Sequence, residues 1–270
     1  MKALVTGATG FAGNYVVQLL QDKGMEVHGI SNRPQFEPFL PVDLKKFRYS
    51  PCDVCADAEL NHCLEEIRPD LIFHLAALTS PSQSRSEPRR TFQVNLIGTL
   101  NLLEAVRSLG LRCRVLVVSS SLVYGSRMEG SAVSESSPLN PDTPYAASKA
   151  ASELLSYQYW KAYGISIIRV RAFNHTGAGQ SLGFICPDQA RAVAEIECGI
   201  HPPLLNVKNP SAVVDLSDVH DIVEGYFLAL TLGKEGSVYN LCSGQGIRID
   251  RKSTRLNSSH IQKSRMPSSA

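Results

Sequence analysis

Tyr145 and Lys149 stand four residues apart in Pro144-Tyr145-Ala146-Ala147-Ser148-Lys149. That spacing puts both on one face of a helix, one turn apart. An ammonium beside a phenol favours the phenolate, so the lysine is expected to lower the tyrosine pKa towards the working range of an acid–base catalyst. Tyr-x-x-x-Lys alone is more often an ordinary helix face. Two further patterns give it meaning. Ser119-Ser120-Ser121-Leu122-Val123-Tyr124-Gly125 closes an apolar run, which places the Ser120 hydroxyl at the carboxyl end of a strand. Upstream, Gly7-Ala8-Thr9-Gly10-Phe11-Ala12-Gly13 lies between a short apolar strand, Lys2–Thr6, and an amphipathic stretch. Glycines there permit a tight turn and close approach of a pyrophosphate to a helix N-terminus. The spacing is GxxGxxG, and Gly7, Thr9, Gly10, Phe11, Ala12 and Gly13 are the expected contacts.

The second strand bears on the cofactor. A carboxylate at its end would accept from a ribose 2′-hydroxyl. Here the chain reads Val27-His28-Gly29-Ile30-Ser31-Asn32-Arg33, with no acid. Asn32 and Arg33 stand where Arg33 could pair a 2′-phosphate, which favours NADPH and leaves NADH possible. Asp53 and Val54 follow the third strand and could meet the adenine edge. Leu75, Ala76 and Ala77 end the fourth with small residues that leave space for a ligand.

These residues need a frame, and the pattern supplies one. Strands are expected at Lys2–Thr6, Met25–Ile30, Phe47–Tyr49, Leu71–Leu75, Arg114–Ser119, Ile165–Val170 and Val238–Leu241. Helices are expected at Tyr15–Lys23, Ala58–Ile67, Arg89–Leu109, Pro144–Tyr163, Pro187–Gly199 and Val219–Leu232. Such alternation implies an α/β fold, a doubly wound parallel sheet with right-handed crossovers. The domain reading is 1–171 for the dinucleotide half and 172–249 for an interleaved, glycine- and proline-punctuated lobe, cut short.

The chain has 270 residues, 43% of them hydrophobic and 19% charged, enough for a sizeable core. A net charge of +2 gives no nucleic-acid or membrane-surface signature, and no apolar run is long enough to span a bilayer. Seven cysteines and early glycines suit a reduced, cytoplasmic protein without a signal peptide. Residues 250–270 stand apart. They hold five of the 27 basic residues and one of the 25 acids, so the remainder is net −2. Asp250–His260 and Ser264–Ala270 also read as the in-frame translation of a widely used sequencing-library adapter. They are expected to be a non-native tail that packs against nothing.

The assembled motifs resemble the extended short-chain dehydrogenase/reductases of the NAD-dependent epimerase/dehydratase family, which act on nucleotide sugars. The likeness rests on the glycine motif, Asp53-Val54, Leu75-Ala76-Ala77, Asn95, Ser120, Tyr145 and Lys149. Arg171–Gln180 and Ser181–Asp188, with Asp215–Val219 and Val238–Gly244, narrow it to the GDP-4-dehydro-6-deoxy-D-mannose reductases and their dehydratase relatives. The resemblance implies a Rossmann-like sheet with a small C-terminal substrate lobe and catalysis by Ser120, Tyr145 and Lys149. It implies that Asn95, Tyr145 and Lys149 also touch the cofactor, that Ser121, Asn174, His175 and Gln180 face a GDP-linked sugar, and that the protein is a homodimer. The expected reaction is NADPH-dependent reduction of a C4 ketone, GDP-4-dehydro-6-deoxy-D-mannose to GDP-D-rhamnose. A 4,6-dehydratase needs a carboxylate just past Ser120, where Ser121 and Leu122 stand; a 4-epimerase usually retains NAD. A cofactor-binding regulator is the non-enzyme alternative. Val213 and Val214 stand where these families commonly carry an arginine towards the diphosphate.

Other residues invite blander readings. Cys52, Cys55, His62 and Cys63 lack zinc spacing, so no metal is expected. His74 and His175 read as hydrogen-bonded structural residues, and Asp215, Asp218 and Asp221 as a capped helix start.

Overall fold

A computed structural model describes residues 1–125, 132–202, 204–205 and 209–249. The expected non-native tail lies outside the described residues.

Seven parallel strands form the central sheet in the order β3-β2-β1-β4-β5-β6-β9. They are β1 (Lys2–Thr6), β2 (Glu26–Ser31), β3 (Phe47–Pro51), β4 (Leu71–His74), β5 (Arg114–Ser120), β6 (Ser166–Ala172) and β9 (Val238–Leu241). Near-continuous burial along β1, β4 and β5 explains their unbroken Val, Ile and Leu runs, because helices cover both faces. On one face α1 (Phe11–Asp22) and α8 (Val219–Leu232) bury Val16, Val17, Leu20, Ile222 and Tyr226. On the other, α2 (Asp57–Ile67), α5 (Gly98–Ser108) and α6 (Pro144–Tyr163) bury Leu60, Leu64, Leu102, Leu103 and Tyr159. Strand order reverses between β1 and β4, so their carboxyl ends open the crevice in which such sheets bind ligands.

The long helix expected over 89–109 is interrupted. α3 (Pro81–Ser86) and α4 (Pro88–Phe92) lead into a π turn, Gln93–Ile97, before α5. A π turn holds one residue more than an α turn and so re-aims side chains inward; here it buries Asn95. α1 begins four residues earlier than its apolar period suggests, because the glycine turn winds directly into it.

A second sheet, β10-β8-β7, was not expected. β7 (Asn174–Thr176), β8 (Val213–Asp218) and β10 (Gly246–Arg248) are short and half-exposed, and they exist through pairing with one another. Val213 and Val214 lie in β8, paired with Arg248 and Ile247. α7 (Ile185–Glu197) completes this region. Asp218 caps α8 by accepting the His220 N–H at 2.8 Å, as its spacing implied. Among the described residues no helix is long and apolar enough to cross a membrane.

Candidate active site

The glycine turn is built by backbone contacts. Gly7 has φ +72°, and a Cβ there would lie 2.9 Å from the Ala76 nitrogen at the end of β4. A Cβ on Gly13 would lie 2.2 Å from the Gly7 carbonyl oxygen, so neither position can take a side chain without moving the turn. Gly10 is the N-cap of α1 and offers no capping side chain. The first amides of α1 therefore remain available to an anion, at the positive end of the helix dipole. Asn14, which sequence reasoning did not single out, fixes the turn from below. Its buried amide donates to the Ala8 and Gly10 carbonyls, each at 3.1 Å. The residues present thus fit a dinucleotide pyrophosphate.

At the end of β2, Thr9 Oγ1 donates to Ser31 Oγ at 3.0 Å, and Ser31 Oγ also accepts the Arg33 N–H at 3.2 Å. Asn32 and Arg33 are exposed beside this network. After the neighbouring β3, Asp53 turns the chain by accepting the Cys55 N–H at 2.9 Å and faces Arg90 at 3.7 Å. Val54 is buried, its carbonyl held by Asn101 Nδ2 at 3.0 Å.

The helix that carries Tyr145 and Lys149 is well specified locally. Thr143 caps α6 by accepting the Ala146 N–H at 3.1 Å, Pro144 stands in its first turn, and Gly164 ends it at φ +69°. Tyr145 and Lys149 are both buried, on one face as the spacing implied. Tyr145 lies beside Ser120, whose hydroxyl accepts the Leu122 N–H at 3.2 Å. The expected lowering of the Tyr145 pKa is not found. Burial raises it, and neighbouring Ser120 only partly offsets that. Burial instead lowers Lys149 to about 8. The sequence argument counted the lysine charge and omitted the cost of desolvating both groups. A tyrosine held protonated through neutral pH is suited to give a proton.

Asn95 is buried and held by hydrogen bonds on both sides of its amide. Its Oδ1 accepts the Leu78 N–H at 2.8 Å, and its Nδ2 donates to Leu78 O at 3.1 Å and Ser148 Oγ at 2.9 Å. Through these bonds Asn95 braces the Leu78 segment against α6. Its carbonyl accepts the Ser152 hydroxyl at 2.6 Å and the Thr99 hydroxyl at 2.7 Å.

That last bond fixes a chain of directions. Because Thr99 Oγ1 donates to Asn95, it must accept from His74 Nε2, 3.0 Å away. His74 Nδ1 is then the acceptor for Thr6 Oγ1–H at 2.8 Å, and Thr6 Oγ1 accepts the Ala76 N–H at 3.1 Å. His74 is thus structural, as read from the sequence, and ties the crevice wall to the π turn. Burial, with the Lys149 charge, pushes its pKa down to about 3. The unfolded chain, with an ordinary histidine, binds the extra proton between about pH 6.5 and 3. Stability supplied by neutral His74 is therefore complete above pH 6.5 and lost as pH falls through that window, by up to roughly 5 kcal/mol. Denaturation of wild type and His74→Gln at pH 7 and pH 4.5 checks this; equal losses in both would remove His74 as the cause.

Sequence reasoning also missed a buried ion cluster. Glu153, one turn beyond Lys149, pairs with Arg171 at 2.6 Å and lies 3.9 Å from Arg169. Arg171 Nη1 donates to the Tyr124 hydroxyl at 2.7 Å, and Tyr124 donates to Asn240 Oδ1 at 2.7 Å. The turn after Ser120 is thereby tied to α6, β6 and β9.

The expected sugar-facing residues lie beside the crevice. His175 stacks on Phe11 with centroids 6.1 Å apart, and its Nδ1 meets the Phe173 carbonyl at 2.9 Å. Gln180 turns inward on its own loop, accepting from Thr176 Oγ1 at 2.7 Å and donating to His175 O at 3.2 Å. Asn174 is exposed and Ser121 half-buried.

Residues 4–266 match the family profile described as GDP-mannose 4,6 dehydratase. The chain is 34% identical over 249 residues to a GDP-6-deoxy-D-mannose reductase from Pseudomonas aeruginosa, covering 92% of this chain and 76% of that one. It is 32% identical over 239 residues to a GDP-mannose 4,6-dehydratase from Vibrio cholerae, covering 84% of this chain and 64% of the relative. Among solved structures it is similar to RMD from Pseudomonas aeruginosa complexed with NADPH. There the TM-score is 0.80 and the identity 31%, with 95% of this chain and 81% of that chain covered.

Proposed function

Because this chain belongs to the GDP-mannose 4,6-dehydratase family of NAD(P)-dependent extended short-chain dehydrogenase/reductases, we propose that it reduces the C4 ketone of a GDP-linked 4-keto-6-deoxyhexose with NADPH. One observation carries the choice of reductase. The two residues that follow Ser120 carry no carboxylate. A dehydratase needs a base to take the C5 proton, whereas Ser121 and Leu122 follow Ser120. A reductase needs only hydride and proton delivery at C4.

NADPH, when bound, would supply the hydride. Tyr145, kept protonated, gives its proton to the C4 oxygen, while Ser120 hydrogen-bonds the same oxygen as charge develops on it. Lys149 holds the nicotinamide ribose, and Asn174 orients the sugar nucleotide. The reading predicts NADPH oxidation and GDP-D-rhamnose on incubation with GDP-4-dehydro-6-deoxy-D-mannose. Conversion of GDP-mannose to the 4-keto sugar would instead establish a dehydratase.

The cofactor preference has its own test. Ser31 ends β2 without a carboxylate, and Arg33 stands exposed beside it. Arg33→Ala is expected to weaken NADPH binding about tenfold and to spare NADH, since it removes a charge-assisted contact to the 2′-phosphate alone. Equal losses for both cofactors would show that Arg33 does not read that phosphate. A homodimer through α5 and α6 fits the open positions of Leu154, 60% exposed, and Tyr157, 42% exposed. Leu103 of α5 is buried against its own sheet and is not open to such an interface. A monomer in sedimentation at micromolar concentration would refute the dimer.

A further inference from the structure

Three hydroxyl groups meet at the end of β2, those of Thr9, Ser31 and Tyr49. Tyr49 stands half-buried on β3, and its hydroxyl lies 2.8 Å from Ser31 Oγ. The same hydroxyl donates to the Arg33 carbonyl, while the Ser31 carbonyl lies farther off at 3.4 Å. A phenol has a single hydrogen to give. With that hydrogen on Arg33, Tyr49 must accept from Ser31. Ser31 Oγ in turn accepts the Thr9 hydroxyl at 3.0 Å and the Arg33 N–H at 3.2 Å. Its hydrogen and both lone pairs are used within this network, and every direction in it is fixed.

The network grips the Arg33 backbone from both sides. Ser31 holds its N–H and Tyr49 its carbonyl, while Thr9 ties both to the glycine turn. Residues 32–46 form neither helix nor strand, so such contacts decide where Arg33 stands. Aromatic packing holds the chain just beyond it. The Phe36 ring lies 4.4 Å from that of Phe47 and 5.8 Å from that of Tyr49, between centroids. The Arg33 side chain itself is exposed. Ordering such a side chain on a ligand costs rotamer entropy, and a backbone already fixed keeps that cost from growing.

We propose that Tyr49 is a positioning residue for cofactor selectivity: by clamping the Arg33 carbonyl it fixes the guanidinium's starting point relative to the glycine turn, and so favours NADPH over NADH. Tyr49 acts through Arg33. The proposal rests on the reading of Arg33 as the partner of the 2′-phosphate, and adds what makes that arginine selective. Water can take the place of the phenol at a carbonyl this close to the surface, so loss of the hydroxyl frees the backbone without unfolding the chain. The two cofactors differ only in the 2′-phosphate, and NADH has nothing to gain from where Arg33 stands.

The test titrates the full chain with NADPH and with NADH by fluorescence, in wild type, Tyr49→Phe, Arg33→Ala and the double variant. Tyr49→Phe keeps the ring against Phe36 and loses only the hydroxyl. The Kd for NADPH is expected to rise about fivefold, with that for NADH within about 1.5-fold of wild type. In the Arg33→Ala background the same change should cost less than about 1.5-fold, because its effect passes through the missing side chain. Equal losses for both cofactors, no loss for either, or an NADPH loss that multiplies in full with that of Arg33→Ala would overturn the proposal. If Arg33→Ala is selective and Tyr49→Phe is not, the positioning role alone falls. If Arg33→Ala weakens both cofactors alike, the reading of Arg33 falls and takes the proposal with it.

Discussion

Replacing Tyr145 with Phe is expected to lower turnover by ~10²-fold or more while leaving NADPH affinity within about twofold. The phenyl ring keeps the packing of a buried residue, and only the hydroxyl is lost. That hydroxyl lies beside Ser120 and is held protonated by burial. Without it the C4 oxygen retains one donor, Ser120, and receives no proton. Lys149→Met should reduce both turnover and cofactor affinity, because one ammonium serves both. With Lys149 held near 8, the alkaline limb of kcat/KM is expected close to pH 8 and should disappear in that variant. Single-turnover reduction of the keto sugar, followed by NADPH absorbance, measures the first effect. Near-normal reduction by Tyr145→Phe would remove Tyr145 as the proton donor.

Glu153→Ala should be the most damaging change away from the reacting atoms. The Glu153 side chain is 2% exposed, with Arg171 at 5% and Arg169 at 9%. Removing the carboxylate leaves two guanidinium groups buried without their counter-charge, which costs roughly 3–5 kcal/mol. In a domain of this size, that lowers Tm by about 10 °C. The change also releases Arg171 from α6, and with it the Tyr124 contact that anchors the turn after Ser120. Turnover should therefore fall further than the folded fraction does, when both are measured below the new Tm. A Tm within about 2 °C of wild type would show that water replaces the carboxylate at little cost.

The sequence by itself determined the helix that carries Tyr145 and Lys149, and the glycine turn. Both are local: a threonine cap, a proline in the first turn and a closing glycine bound α6, and Tyr145 and Lys149 share a face by helical period alone. The parallel sheet was legible for the same reason, since unbroken apolar runs alternating with amphipathic stretches leave few other packings. Only the tertiary structure decided what those residues meet. Burial reversed the expected Tyr145 shift, because desolvation depends on what packs over a group and not on its neighbours in the chain. The bracing role of Asn95 emerged once the π turn aimed it at Leu78 and Ser148, through hydrogen bonds spanning 17 and 53 residues. Glu153 and Arg171 sit 18 residues apart on different elements and show no motif. Their pairing follows from α6 packing across β6, where a charge can be buried only beside its opposite.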